Sequence, residues 1–548
     1  MTEITDPEET YKSLFSIEDI GQYEIDEAIE FLRSLIDVSS YLHKIEGLER
    51  AIKLSGRAFR WDLTQDQSVL LHYHVARAWR SLKTIRRKDD SRSWESQKDE
   101  IENEILHLRG ALKRCGSKET AREMRQKILD DLGNALGYIG RFVEAVECWN
   151  EILEINPSNP LARGNRGIGL AGYSRALYNQ DHDASKEAVS TKEALLRAAY
   201  SDIKAALLSD PDDDARGRFQ EYMTWLESVL SPEWLKSKAL NSEMLGPEAL
   251  QESIEANNPS LGSSDEEQSY RKWCLDNRLL LNPLNDLGPV AMATEDSLAP
   301  PEMMAGIRGG PGYIECLNEL KQEFASARYI YYQGISSGRP HFSDRKVILI
   351  NTPDYPAYSL AIEEVKAAFR IFYSMFDKIA CLLDDYLGLG TTDREIRLKS
   401  LWYRMVKKDR LLRQDFQQND NWPLKGLFWL SKDLYDERQV FKEFMEPDAR
   451  RIYDIWDHLE HRYLNVSNQS TRKAASSALN ASPNSLSYTI QRCDFEDMTL
   501  GLIKTVRAAL IYLLTAINHQ EQHCMEIRAE NITIMGSGLD IIEDDWKI

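Results

Sequence analysis

Between Lys127 and Pro160 the chain reads KILDDLGNALGYIGRFVEAVECWNEILEINPSNP, and this segment restricts the possible folds more than any other. Gly133 and Ala145 are small where two paired helices would cross, while Phe142 and Trp149 are large enough to fill the gap between neighbouring pairs. Pro157 removes a backbone donor and stops the second helix. A helix pair of this kind cannot bury its apolar face alone and is stable only when stacked on similar units. The expectation is an all-α chain whose first half is a helical array.

Eight positions, Leu132, Gly133, Leu136, Gly140, Phe142, Ala145, Trp149 and Pro157, stand at the offsets of a tetratricopeptide repeat, which the segment resembles. A degenerate second copy opens with Arg163 to Leu170 and closes with Ala199, Ile203, Ala206 and Pro211, carrying an insertion of about 20 residues relative to the repeat period. Upstream, IDEAIEFLRSLI from Ile25, HYHVARAWRSL from His72 and EILHLRGALKRCG from Glu104 have the helical apolar period. The array is therefore placed at residues 20–236. Stacked pairs curve and present a concave face, so a protein or peptide partner is expected there, against the alternative of a plain spacer. Residues 237–268 are polar and rich in Gly, Ser, Pro and acid, as a flexible linker would be.

A chain of 548 residues exceeds a single hydrophobic core, which agrees with more than one unit. The formal charge is -20, yet residues 301–548 carry 31 Lys and Arg against 35 Asp and Glu, leaving -16 for residues 1–300. Any RNA contact is thus assigned to the second half. Seven cysteines lie far apart without a C-x-x-C pair, as expected of reduced thiols rather than a zinc ribbon or disulfide framework. The longest apolar run, Ala508 to Ile517, is short of the roughly 20 residues of a membrane helix, and the acidic start lacks a signal peptide's basic flank. A soluble, cytoplasmic protein without a membrane contact is expected.

In the second half, Ala361 to Leu387 and Leu500 to Met525 carry wide apolar stripes at helical spacing and predict the long helices of a bundle. Pro340, Pro353 and Pro356 flank the β-branched VILINT of Val347 to Thr352, which predicts an extended loop or short strand packed across the bundle. RRIYDIWDHLEHRYLNV, Arg450 to Val466, groups Arg451, Asp454, His458, His461 and Arg462 near one helix face. Read without any relative, such a cluster is a solvated face laced by i,i+4 ion pairs.

Six blocks across residues 270–535 together resemble the HEPN-type domain that follows tetratricopeptide repeats in a group of bacterial proteins. They are YRKWCLDNRLLLNPLNDL from Tyr270, HFSDRKVILINTPDYPAYS from His341, FDKIACLLDDYLGLG from Phe376, NWPLKGLFWLSKDLYD from Asn421, LEHRYLNV from Leu459 and KTVRAALIYLLTAI from Lys504. The resemblance implies a HEPN-like helical domain over residues 269–535, followed by a tail at 536–548. It also implies a metal-independent endoribonuclease working as a homodimer in bacterial stress or phage defence, as a toxin-type effector.

In HEPN ribonucleases an Arg stands five positions before the catalytic His, often followed by a polar residue. By that resemblance His461 is the catalytic His and Asp457 the polar residue. The Arg position is occupied by Trp456, whose indole cannot hold a phosphate in a bidentate, charge-assisted contact. An alternative alignment pairs Arg451 with His458, two helical turns apart. Arg462 and Arg507 are candidate RNA contacts, although Arg507 in the apolar RAALIYLL also fits pairing with a buried carboxylate. The implied chemistry uses imidazole to accept the proton of an RNA 2′-hydroxyl and to protonate the leaving oxygen. Two readings follow: an RNA-cleaving effector, or a non-catalytic binding protein in which Trp456 marks the lost activity.

No cofactor or metal is expected. HQEQH, His519 to His523, puts two His on one helix face, but its Glu is misplaced for a zinc protease and no third ligand is evident. Phosphate-loop, dinucleotide and nucleophile-elbow signatures are absent from the sequence. Trp402, Trp422 and Trp429 are assigned to core packing rather than to base stacking.

Overall fold

The computed structural model describes residues 6–86, 93–116, 119–177, 190–239, 261–290, 293–301, 312–350, 356–392, 396–406, 409–417, 419–435, 437–438, 443–444, 449–467, 486–528, 542 and 544–547. The chain is predominantly helical, with three two-stranded sheets among the described residues. In the first half lie α1 (Pro7–Phe15), α2 (Ile25–Tyr41), α3 (Ile45–Ala58), α4 (Gln65–Ile85), α5 (Lys98–Arg114), α6 (Glu119–Tyr138), α7 (Phe142–Ile155), α8 (Pro160–Ala176), α9 (Thr191–Leu208), α10 (Asp213–Val229) and α11 (Pro232–Ala239). Successive helices pair, α2 with α3, α4 with α5, α6 with α7 and α8 with α9, and each pair stacks on the next. Most of the predicted linker, residues 240–260, and most of the predicted insertion, residues 178–189, lie outside the described residues, as does all but a few residues of the tail.

Small and large side chains interlock at the α6–α7 crossing. A Cβ on Gly133 would stand 2.7 Å from Nε1 of Trp149, and one on Gly169 of α8 would stand 2.5 Å from the same ring. Trp149 therefore fills the space between consecutive helix pairs, and only glycine admits it on either side. Phe142 behaves differently from expectation: its ring meets Tyr173 of α8, and also Trp422 and Tyr512 of the second half, at 4.6–4.8 Å.

The second half contains α12 (Asp265–Asp276), α13 (Gly312–Ser336), α14 (Leu360–Tyr386), α15 (Gln414–Gln417), α16 (Trp422–Tyr435), α17 (Ala449–His461) and α18 (Arg492–Arg528). β1 (Tyr403–Val406) pairs antiparallel with β2 (Asp409–Leu412), and β3 (Glu437–Arg438) with β4 (Glu443–Phe444). β5 (Tyr463–Ser467) and β6 (Ser487–Gln491) run parallel, with Tyr463 opposite Ser487. α18 is the central helix and packs against α14, α16 and α8. By length and composition its span Arg492–Cys524 could cross a membrane, but 78% of its most apolar window is buried inside the protein.

One continuous apolar core runs from Val69 to Ile517 and takes in helices of both halves; a smaller core fills α2, α3 and part of α4. The backbone approach between the halves is close. A Cβ on Gly140, where φ is +87°, would lie 2.2 Å from the Trp422 carbonyl oxygen, and one on Gly426 would lie 2.2 Å from the Gly140 carbonyl oxygen. Buried charge crosses the same seam: Asp433 of α16 accepts from both Arg109 (2.9 Å) and Arg141, and Lys432 donates to Glu102 (3.2 Å). Such groups tolerate burial only when paired.

One extended-segment expectation is corrected. Val347 to Ile350 do not pack across the bundle: they form no helix, join no strand, and are 54–95% exposed. Residues 351–355 lie outside the described residues; beyond them Pro356 bridges Ser467, and the Ala357 N–H donates to the Val466 carbonyl at 2.6 Å.

Candidate functional site

α17 forms because Ile452, Ile455 and Leu459 recur at i, i+3 and i+7 and are buried against α14, α16 and β6, while Arg450, Tyr453, Glu460 and His461 face water. The helix ends at His461, because Tyr463 already pairs in β5. His461 thus stands exposed on the last turn, where the chain changes from helix to strand. Asp457 and Arg462 lie beside it, with the guanidinium 3.4 Å from the Asp457 carboxylate.

Trp456 occupies the space beneath His461. Its indole stacks on Tyr373 of α14 at 4.9 Å and 20°, and meets the edge of the His461 ring at 5.7 Å and 81°. Burial pushes the Tyr373 hydroxyl above its ordinary range, so the phenol stays neutral beneath the indole. This stack locks α17 to α14.

It also brings in a residue absent from every sequence-based assignment. Arg370, one turn before Tyr373, donates from Nη2 to the Leu459 carbonyl at 2.7 Å and places Nε 3.3 Å from Glu460. Its side chain remains 41% exposed. Nothing in the spacing of Arg370 from His461 could have marked it, because Arg370 reaches the last turn of α17, at Leu459 and Glu460, only through helix packing.

The seven-residue spacing does not bring Arg451 and His458 into one group. His458 is buried and turned toward Tyr488 of β6, with ring centroids 5.4 Å apart. Its Nδ1 lies 2.7 Å from the Asp454 carbonyl oxygen, which can only accept, so Nδ1 carries the proton. Nε2 is enclosed without a hydrogen-bond partner among the described residues. Arg451 instead reaches Asp494 of α18 at 3.4 Å and lines a cavity of about 380 Å³ with Arg141, Asp433, Asp494, Asp497 and Lys504.

Arg507 is corrected as an RNA contact. Its guanidinium is buried, pairs with Asp286 at 2.6 Å, and donates to the Leu280 (2.6 Å) and Asn282 (3.0 Å) carbonyls. Burial alone would lower its pKa; the Asp286 carboxylate outweighs that and raises it. Tyr173 of α8 donates to the same carboxylate at 3.1 Å. Among the three tryptophans, Trp402 and Trp429 are fully buried, and Trp422 packs on Phe142 while donating to the Gly137 carbonyl at 3.0 Å. In HQEQH, Glu521 accepts from Tyr386 at 2.8 Å. Among the described residues no three His, Cys, Asp or Glu gather as a metal site.

An exposed imidazole on a helix-terminal turn that also carries an Arg462–Asp457 pair, and that Arg370 reaches at Leu459 and Glu460, has the group types to hold a phosphodiester and move a proton. Residues 304–520 match the LA2681-like HEPN family. The HEPN match covers α13 to most of α18, and so includes Arg370, Trp456, Asp457, His461 and Arg462, but it stops short of the Tyr270 block and the repeat array. No curated protein matches the chain.

Proposed function

We propose that the C-terminal end of α17 is an RNA-cleaving site and that the protein is an RNA-targeting effector of bacterial stress or phage defence. The observation that carries the reading is the exposure of His461 beside Asp457 and Arg462 within the HEPN-matched region. His461 takes the proton of a 2′-hydroxyl, the freed oxygen attacks the adjacent phosphorus, and the P–O5′ bond breaks. A second imidazole, supplied by the partner copy of a homodimer, gives its proton to the departing 5′-oxygen. The products are a 2′,3′-cyclic phosphate and a 5′-hydroxyl, and no metal takes part. The helical array serves as the sensor or docking scaffold for a protein or peptide partner.

A second reading has its own support: Trp456 stacked on Tyr373 stands where the family Arg belongs, as in a binding protein without activity. One assay separates the two. Purified protein is incubated with total RNA and tRNA in EDTA, beside His461→Ala. Cleavage to 2′,3′-cyclic phosphate ends, lost in the variant, supports the ribonuclease. A stable dimer that binds RNA without cutting it supports the binding protein.

A further inference from the structure

We propose that Arg370 supplies, from α14, the phosphate-binding guanidinium that the Trp456 position no longer provides. The inference rests on the RNA reading of the α17 terminus and names the group that would hold the substrate phosphate there.

The geometry links loss and replacement. An Arg at position 456 would reach the His461 turn from within α17; the indole that stands there stacks on Tyr373 instead. That stack fixes the register of α14 against α17, and Arg370 lies one turn along the same helix. Its guanidinium arrives at the last turn of α17, bonded to the Leu459 carbonyl two residues before His461. Arg has five N–H donors in a fixed fork, and the contacts to Leu459 and Glu460 engage two of its nitrogens. The remaining nitrogen, Nη1, takes no part in either contact, and the side chain is open to solvent.

A guanidinium at a helix C-terminus is also a capping group, favourable to the last carbonyls and the helix dipole. Capping alone explains the Leu459 bond. It predicts a small loss of stability on removal and no effect on RNA. Glu460 bears on the same point: its carboxylate, 3.3 Å from Nε, neutralises Arg370 and would repel a phosphate, so its removal should favour RNA.

The test measures binding of fluorescein-labelled tRNA to the full-length protein in the His461→Ala background, together with cleavage in the otherwise native chain. Arg370→Gln is expected to weaken binding about tenfold or more, the effect of losing one charge-assisted contact, and to lower the salt dependence by about one counterion. Its melting temperature should stay within about 4 °C of the parent. Glu460→Gln should tighten binding, and Trp456→Arg should restore it to Arg370→Gln. Arg370→Lys keeps the charge but not the fork and should recover only part of the loss. Unchanged tRNA binding in Arg370→Gln, with wild-type cleavage intact, overturns this inference and leaves the ribonuclease reading standing. Binding that depends on Arg370 without any cleavage leaves the inference standing and removes the enzyme. A parent chain that neither binds nor cleaves RNA overturns both.

Discussion

Single residues decide how the two halves meet. Gly140 is one of the small residues of the α6–α7 turn, but its positive φ and the Trp422 carbonyl oxygen, 2.2 Å from where a Cβ would stand, tie it to the second half as well. A methyl group there is strained by backbone conformation and collides with backbone rather than with a flexible side-chain end. Gly140→Ala should cost about 2–4 kcal/mol in urea unfolding of the full chain, the sum of overpacking and left-handed strain. Gly56 is the matched control, because it sits in a helix and a methyl added there would meet nothing within 4 Å: Gly56→Ala should be neutral or slightly stabilising. At the site itself, the proposed ribonuclease reading requires that His461→Ala abolish any metal-independent RNA cleavage while leaving the melting temperature nearly unchanged, because the ring is exposed and ends the helix.

At the scale of elements, α16 is the joint. Its face toward the repeats carries Lys432 and Asp433, both buried, and its other contacts hold α18 and α17. Burial would raise the Asp433 pKa; Arg109 and Arg141 outweigh it and hold the carboxyl below its ordinary value. A carboxylate whose folded pKa is depressed adds stability above its unfolded pKa, and loses it as pH falls through the folded value. Asp433→Asn leaves two buried guanidiniums short of a charge and should lower stability by about 3–5 kcal/mol at neutral pH. The deficit should shrink in acid, where the native carboxyl is protonated too; chemical denaturation at several pH values measures both. A deficit that stays constant with pH would contradict the charge argument.

For the whole molecule, the shared core means that the array and the HEPN-matched region should unfold together over Val69 to Ile517, while α2 and α3, with their own small core, are free to melt apart. Acid bears first on the array. Burial lowers the pKa of His72, whose ring is tilted against Phe59 and whose Nδ1 lies 3.0 Å from that of His107, to about 4, and does the same to His74. Because the unfolded chain takes up these protons first, stability should fall between about pH 6.5 and 4, by at most about 1.4 kcal/mol per pH unit for each His. His74→Phe should flatten that slope, as read from melting temperatures across the window. An unaltered slope would mean the imidazole is not neutral in the folded chain.

Much of the architecture was legible because it is local. Helical apolar spacing marked α14 and α18, the glycine and tryptophan offsets marked the α6–α7 pair, and the cluster around His461 lay on one short helix. Local spacing also misled where helix rotation alone was considered: Arg451 and His458, two turns apart, acquire different neighbours because α17 is clasped by α18 on one side and β6 on the other. Arg507 was ambiguous in sequence because only the chain near Asp286, more than two hundred residues away, supplies its counter-charge. The sequence by itself determined the helices, the acidic first half and the position of the histidine. Tertiary structure alone decided that the halves share a core, that Arg507 is committed inside it, and that Arg370 stands at the His461 turn, since each depends on which surfaces of distant helices are pressed together.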